Sequence, residues 1–308
     1  MSGMINNFYY GKAGQADYTP DQLPSNRVAL FFEMLRIRFS GLIGMNLICV
    51  LTSLPTIIWS YLSLQVLMLN AEQMAEDTAA VGMMNGTVLM SFLLLVPCLM
   101  LTGVFHTGVM YILRNWARDQ HTFTMSDFKD ALKADWKRGL LVGLINGLSL
   151  LLTYVSYTYY GIMASSGSSF WYVPQMLVVI ACCIWWMANM LITPMMVTYD
   201  MKFGTLVRNS IIIVLSRLPW SLLIWGLSVA IPLVIMLFVP YGVAVTAVIY
   251  LLIGFSLTYF IYVSYANSCF DRFLNPRIEG AQVNMGLRDP SLAEEEDEEV
   301  TEEDIKNL

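Results

Sequence analysis

Residues 219–265 read PWSLLIWGLSVAIPLVIMLFVPYGVAVTAVIYLLIGFSLTYFIYVSY, without a single Asp, Glu, Lys or Arg. About 20 consecutive apolar residues cross the ~30 Å hydrocarbon core of a bilayer as an α-helix. This run holds two such lengths, with Phe238-Val239-Pro240-Tyr241-Gly242 between them. Proline and glycine together mark a tight reversal. The run therefore reads as two spans, Pro219–Val239 and Gly242–Tyr265. A single long, kinked helix is the other reading, and it would carry the rest of the chain to the opposite side of the membrane.

Four more uncharged apolar segments precede it: Gly41–Leu64, Val88–Leu113, Gly139–Met163 and Val173–Val197. A charged side chain at the bilayer centre costs ~2.5–3.5 kcal/mol on insertion scales, so charge-free stretches of this length select for lipid. The composition agrees. The 308 residues are 57% hydrophobic and 13% charged, against ~25% charged in soluble domains, and the mean hydropathy is +0.60. The expected fold is all-α: a polytopic membrane helix bundle of six transmembrane helices. Residues 1–25 lack the apolar core of a cleavable signal, so the first span is expected to act as an uncleaved anchor.

All 17 Lys and Arg lie before the first span, between the second and third, between the fourth and fifth, or after the sixth. The three alternate loops hold none, and the longest carries Glu72, Glu76 and Asp77 instead. Under the positive-inside rule this places both termini in the cytoplasm. An odd error in the span count would have put basic loops on both sides. The net charge of −6 comes from the end of the chain, where acidic residues crowd between Glu294 and Asp304. The expected layout is an N-terminal extension (1–27), a membrane domain (28–275) and an acidic, disordered tail (276–308). Nothing points to nucleic acid; the bilayer is the partner that composition demands.

Short interfacial helices are expected on the cytoplasmic side. Val28–Phe39 mixes apolar residues with Arg36 and Arg38, and reads either as an interfacial helix or as an early start of the first span. Ser126 can cap a helix opening at Asp127, with Phe128, Leu132 and Trp136 on one face, lying along the membrane or the bundle or docked on a partner. Lys202–Ser216 reads as a third such helix, turning into span five.

Gly139, Gly143 and Gly147 form a GxxxGxxxG ridge, which lets another backbone approach closely, either within the chain or between copies. Asn46, His106, Asn146 and Asn189 lie on four spans, each about six to eight residues from the cytoplasmic end, hence ~9–12 Å deep at 1.5 Å per residue. They can occupy one layer. That layer reads either as a polar pocket or solute path, or as interhelical hydrogen bonding worth ~0.6 kcal/mol on average. The spans offer no carboxylate or charged pair for ion coupling. Cys49, Cys98, Cys182, Cys183 and Cys269 show no metal-ligand spacing, and no catalytic motif is present among two histidines. Neither an enzyme nor a cofactor or metal is expected.

The order of several short motifs carries a resemblance. Asn46-Leu47 and Ser53-Leu54-Pro55 lie in span one. Leu101-Thr102-Gly103, Tyr111, Arg114 and Asp119 follow, then Phe128, Trp136 and Lys137. After span four come Thr198-Tyr199-Asp200, Arg208-Asn209-Ser210 and Leu218-Pro219. Over residues 28–275 this order resembles the YesL-like family, the domain of unknown function 624. These are bacterial membrane proteins, often encoded beside carbohydrate-uptake transporters. The resemblance implies a bacterial cell membrane location and sugar-transporter permease subunits as candidate partners. It singles out Pro55, Thr102, Gly103, Asp200, Arg208 and Asn209, with no catalytic residues to carry over. Thr56–Met100 reads as an insertion relative to the pattern.

Two functions compete. One is a non-enzymatic accessory or regulatory partner of a carbohydrate uptake system. The other is a facilitator of a small neutral solute, built on the four-residue polar layer. The topology itself is open to test: a reporter active only in the cytoplasm, fused after Arg288, should be active. Activity only for a reporter that works outside the cytoplasm would overturn the six-span, both-ends-inside reading.

Overall fold

The computed structural model describes residues 23–74 and 79–288, with side chains between 70 and 84 left aside. The described residues form helices α1 (Arg27–Ile37), α2 (Phe39–Met74), α3 (Ala79–Trp116), α4 (Thr124–Ser166), α5 (Tyr172–Met196), α6 (Phe203–Ser216), α7 (Leu218–Phe238), α8 (Gly242–Ile249) and α9 (Phe255–Phe273), with no strand among them. A π-helical turn, Tyr250–Gly254, joins α8 to α9. Six helical units are long and apolar enough to cross a membrane: α2, α3, α4, α5, α7 and the continuous α8–α9 unit. The chain is a multi-pass membrane helix bundle.

The decisive reversal is present. The Val239 N–H reaches the Ile235 carbonyl (3.1 Å) and the Gly242 N–H reaches the Val239 carbonyl (2.9 Å). Tyr241 takes up a left-handed conformation, φ 57°, which costs an L-residue energy and so marks a turn held by its surroundings. A Cβ on Gly242 would sit 2.9 Å from the Met236 Cα. Only glycine permits the chain to fold back this closely.

The elements at the basic end differ in detail from their sequence reading. α1 is a helix of its own, because the Asn26 side chain caps it by accepting from the Val28 and Ala29 N–H groups (3.1 and 2.9 Å). Its Leu30 and Met34 are buried, while Val28 and Phe32 face outward. The helix expected to open at Asp127 under a Ser126 cap starts at Thr124 and runs without a break into span three, over 43 residues. Such a helix is about 65 Å long, twice the hydrocarbon thickness. Asp127 reaches back to accept from the Phe123 N–H (2.9 Å), so it satisfies one of the helix's free first-turn donors and Ser126 is not the cap. The inward face is Phe128, Ala131, Asp135 and Gly139, whereas Trp136 is exposed. A strict four-residue row drifts around a helix of 3.6 residues per turn, so Phe128–Leu132–Trp136 leaves the contact face. α6 forms where expected and buries Leu206, Ser210, Ile213 and Val214.

The expected outer loop is largely helix, as α2 runs to Met74 and α3 starts at Ala79; Glu72 lies in the last turn of α2. Glu76 and Asp77, the first 22 residues and the acidic run from Glu294 lie outside the described residues. The boundary at 276 cuts a placed segment. Residues 275–288 fold back over the basic end, where the Arg288 N–H meets the Pro24 carbonyl (3.1 Å) and Leu287 packs on the core.

Two apolar clusters fill the half of the bundle nearer the basic end. One joins α1, α2, α3 and α9 through Leu30, Leu42, Met45, Val109, Ile112 and Phe260. The other joins α5, α6 and α9 through Leu191, Met195, Leu206, Val214, Ala266 and Phe270. Between them runs the tightest seam in the fold. A Cβ on Gly139 would lie 2.6 Å from the Gly103 carbonyl oxygen, one on Gly143 2.7 Å from the Met100 Cα, and one on Gly147 2.7 Å from the Val96 Cα. The ridge packs inside the chain, backbone against backbone, and Gly103 is its counterpart on α3. Gly143→Leu should cost at least the ~1–3 kcal/mol of an overpacked core and lower detergent stability and yield. Gly44→Leu, which meets nothing within 4 Å, should not. Wild-type stability for Gly143→Leu would contradict the seam.

Candidate functional site

Two polar side chains flank the glycine seam, His106 beyond its Gly103–Gly139 end and Asn146 near its Val96–Gly147 end. His106 follows Gly103 by three residues on α3, and Asn146 follows Gly143 by three on α4. Residues three apart share a helix face, so the two emerge beside the seam on the same side. Asn189 joins them from α5. All three line one cavity of about 310 Å³. Trp225 and Ser228 of α7 close it, together with Tyr250, Thr258, Tyr259 and Tyr262 of the α8–α9 unit.

Asn46, the fourth residue of the expected layer, is elsewhere. It is fully buried. Its amide donates to the Tyr250 and Leu251 carbonyls (2.9 and 2.8 Å), and its oxygen accepts from the Ser256 N–H (3.0 Å). A π-helical turn upsets the regular i to i+4 pairing, and a membrane has no water to meet the freed groups. Asn46 meets them instead. The four residues thus divide into a three-residue cavity lining and one structural clamp.

The cavity's polar atoms are unevenly satisfied. The Asn146 oxygen accepts from the Trp185 indole N–H (3.0 Å), which leaves its amide hydrogens free to serve the cavity. Thr102 shares a hydrogen bond with Thr56 across α2 and α3 (2.8 Å), and Ser228 shares one with Tyr262. The Asn189 oxygen and His106 Nε2 are buried without a protein partner among the described residues. The His106 ring lies against Tyr259, centroids 4.3 Å apart. Each unmet buried polar atom costs ~1–3 kcal/mol, so the two together mark a place for water or a solute. Trp186, Trp225, Tyr250, Phe255, Tyr259 and Tyr262 supply aromatic walls. No carboxylate, lysine or arginine is part of the lining.

Of the family-like positions, Thr102 and Gly103 line the cavity, and the others lie elsewhere. Pro55 lies within α2, one residue before Thr56, so the Thr56–Thr102 bond spans α2 and α3 beside the proline. Gly103 belongs to the seam. Asp200 and Arg208 are exposed at the basic end, and the Asn209 amide donates to the Met201 sulfur (3.8 Å). None of these three reaches the cavity.

The basic end also holds a buried polar network that the charge reading did not anticipate. Arg118, 8% exposed, donates to the Asn267 oxygen (3.0 Å), and Arg27 pairs with Asp271. Arg114 donates to the Val197 carbonyl (3.1 Å), supplying the free carbonyl end of α5 with both a donor and a positive charge. The Tyr199 hydroxyl donates to Asn275; burial pushes its pKa up to about 12 against the pull of Arg118, so it stays a neutral donor. In the sequence these arginines read as topology signals, and Arg114 also as part of the family-like motif order. The aromatic cavity walls were equally hidden, because Trp and Tyr in an apolar span look the same whether they face lipid or a cavity. Among the described residues no group of three His, Cys, Asp or Glu is arranged to hold a metal ion, and the five cysteines are free.

Residues 81–157 match the sequence model of the family described as Protein of unknown function, DUF624, in agreement with the resemblance drawn from the motifs. The matched stretch covers most of α3 and α4, hence the whole glycine seam. It begins inside the stretch 56–100 that read as an insertion, so residues 81–100 belong to the matched pattern. No match was found among curated proteins or among solved structures.

Asn46 and Asn189 separate structural from functional polarity. Asn46→Leu strands two carbonyls and an N–H and should destabilise the detergent-solubilised protein by ~1–3 kcal/mol. Asn189→Leu removes an oxygen with no protein partner and should leave the thermal transition unchanged or raised. Equal losses in both would contradict this division.

Proposed function

We propose that the protein is a non-enzymatic multi-pass protein of the bacterial cell membrane that binds one small, uncharged, hydroxyl-rich solute in the His106/Asn146/Asn189 cavity, as a facilitator. The observation that carries this reading is the pair of unpartnered polar atoms, the Asn189 oxygen and His106 Nε2, in an aromatic-walled cavity without charged lining. Hydroxyl groups both donate and accept, so they suit an amide and an imidazole together. Aromatic faces cover the apolar side of such a solute while Tyr and Trp offer polar edges. A charged solute would have no counter-charge here and would bear its desolvation cost alone. A volume of about 310 Å³ is near the lower end of the ~300–1,000 Å³ range for ligand pockets, which favours a single ring or polyol. By the positive-inside rule the basic end faces the cytoplasm, which would give the cavity the inner half of the membrane.

The second reading, an accessory partner of a carbohydrate uptake system, rests on the family resemblance and on the projecting start of α4. There Phe123, Met125 and Trp136 are exposed at the charged end of a helix far longer than the bilayer, where a permease subunit could cover them.

The cavity contains its own reporters, Trp186 and Trp225. Titration of the purified protein with monosaccharides and polyols should change its tryptophan fluorescence, and Asn189→Leu together with Asn146→Leu should abolish the change. A panel without response at affinities tighter than ~1 mM would overturn solute binding. Flux of the responding solute in liposomes then supports the facilitator, whereas co-purification of permease subunits without flux supports the accessory partner.

A further inference from the structure

α7 is among the least buried of the spans. Its backbone stands apart from α9, and two tyrosines bridge the gap by hydrogen bonding: Tyr265 with Ser221 (2.7 Å) and Tyr262 with Ser228. The gap leaves two adjoining hollows. The one at the basic end is about 500 Å³, bounded by Arg27, Phe31, Arg217, Trp220 and Tyr265. The other is about 290 Å³ and runs between Leu227, Ile231 and Ile235 of α7 and the α8–α9 unit. Ile224 and Ile261 line both, so the two form one groove, polar and cationic at one end and apolar along the rest. From Trp220 to Ile235 the helix rises about 22 Å, more than the ~15 Å half-thickness of the hydrocarbon core.

The charge at the open end is not cancelled. Arg27 pairs with Asp271, but its Nε is buried without a partner. Arg118 lies within electrostatic reach of both. Arg217 has only the Cys269 sulfur (3.9 Å) and the Tyr265 ring beside it; among the described residues no carboxylate pairs with it. Two guanidiniums, Arg27 and Arg217, therefore line the open end, and only the first has a carboxylate partner among the described residues. Arginine is suited to phosphate because its fork of donors meets two oxygens at once.

We propose that the α7–α9 groove holds an anionic phospholipid, with its phosphodiester at Arg217 and Arg27 and an acyl chain along Ile224, Leu227, Ile231 and Ile261. The lipid fills the space that direct helix packing leaves between spans five and six. The solute cavity adjoins the apolar stretch of the groove at Ser228, Tyr250 and Thr258, which line both, but Arg27, Arg217 and Trp220 line the groove alone and His106, Asn146 and Asn189 the cavity alone.

The test uses the full-length protein, exchanged between detergent containing phosphatidylglycerol and detergent containing phosphatidylcholine, with retained lipid counted by native mass spectrometry. Phosphatidylglycerol should be retained in preference and should raise the thermal transition, while inorganic phosphate alone does neither. Arg217→Gln should lower the preference about fivefold, the effect of one basic residue near an anionic lipid, and Arg217→Lys should keep most of it. Leu227→Trp, which fills the apolar stretch, should displace the lipid with the arginines intact. Equal retention of the two lipids by the wild type would overturn the proposal, as would an unchanged preference in Arg217→Gln or full stabilisation by inorganic phosphate. Should Arg217→Gln fail to fold, the wild-type lipid preference and Leu227→Trp decide alone. Because solute binding is read from different residues, either site can fail while the other stands.

Discussion

The close approach of α3 and α4 is the constraint on which the rest of the molecule depends. In a bilayer, lipid tails are as apolar as leucine, so helices gain little by hiding from solvent and must gain by packing. Gly103 against Gly139, Met100 against Gly143 and Val96 against Gly147 bring the two backbones together along most of three turns. No side chain separates them, so the polar residues one turn further on, His106 and Asn146, must emerge at the flank of the seam. There α5 brings Asn189 beside them and α7 covers the opening. The packing that holds the fold therefore also builds the cavity.

A second constraint, the absence of water around the backbone, explains where the remaining polar side chains go. The π-helical turn at Tyr250–Gly254 would leave carbonyls unmet, and Asn46 crosses from α2 to meet them. At the basic end, arginines meet free carbonyls in the same way, Arg114 at the end of α5 and Arg138 at Met201 in the connection before α6 (3.3 Å). Unmet polar atoms also occur elsewhere, the Arg114 Nε and the Thr193 hydroxyl among them; what sets the His106 Nε2 and the Asn189 oxygen apart is that both residues line one cavity.

Much of this was legible in the sequence because it depends on local properties. Charge-free runs of the right length mark the spans, and Pro240 with Gly242 marks the reversal. The spacing of Gly139, Gly143 and Gly147 announces a close approach, though not with which partner. The site was only half legible. Similar distances from the span ends suggested one polar layer, but the α3–α4 register sets Asn146 and His106 roughly nine residues apart along the seam, ~14 Å at 1.5 Å per residue, and Asn46 points into the α2–α9 contact rather than the cavity. The inward face of α4 was misread for a related reason, since a four-residue row leaves the contact line within three turns. The buried Arg118–Asn267 pair left no local trace, because its partners are far apart in the chain and an arginine after a span already has an explanation in topology.

The central claim is that the cavity beside the α3–α4 seam is open to a polar solute. Cysteine accessibility tests it most directly. In protein stripped of its native cysteines and held in sealed liposomes, Asn189→Cys should react with a membrane-impermeant thiol reagent from the side of the basic end, and a bound solute should slow that reaction. A cysteine at Leu152, on the exposed surface of α4, should stay unreactive within the lipid. Failure of Asn189→Cys to react from either side, in protein that is otherwise folded, would contradict the account and leave the three residues as packing alone.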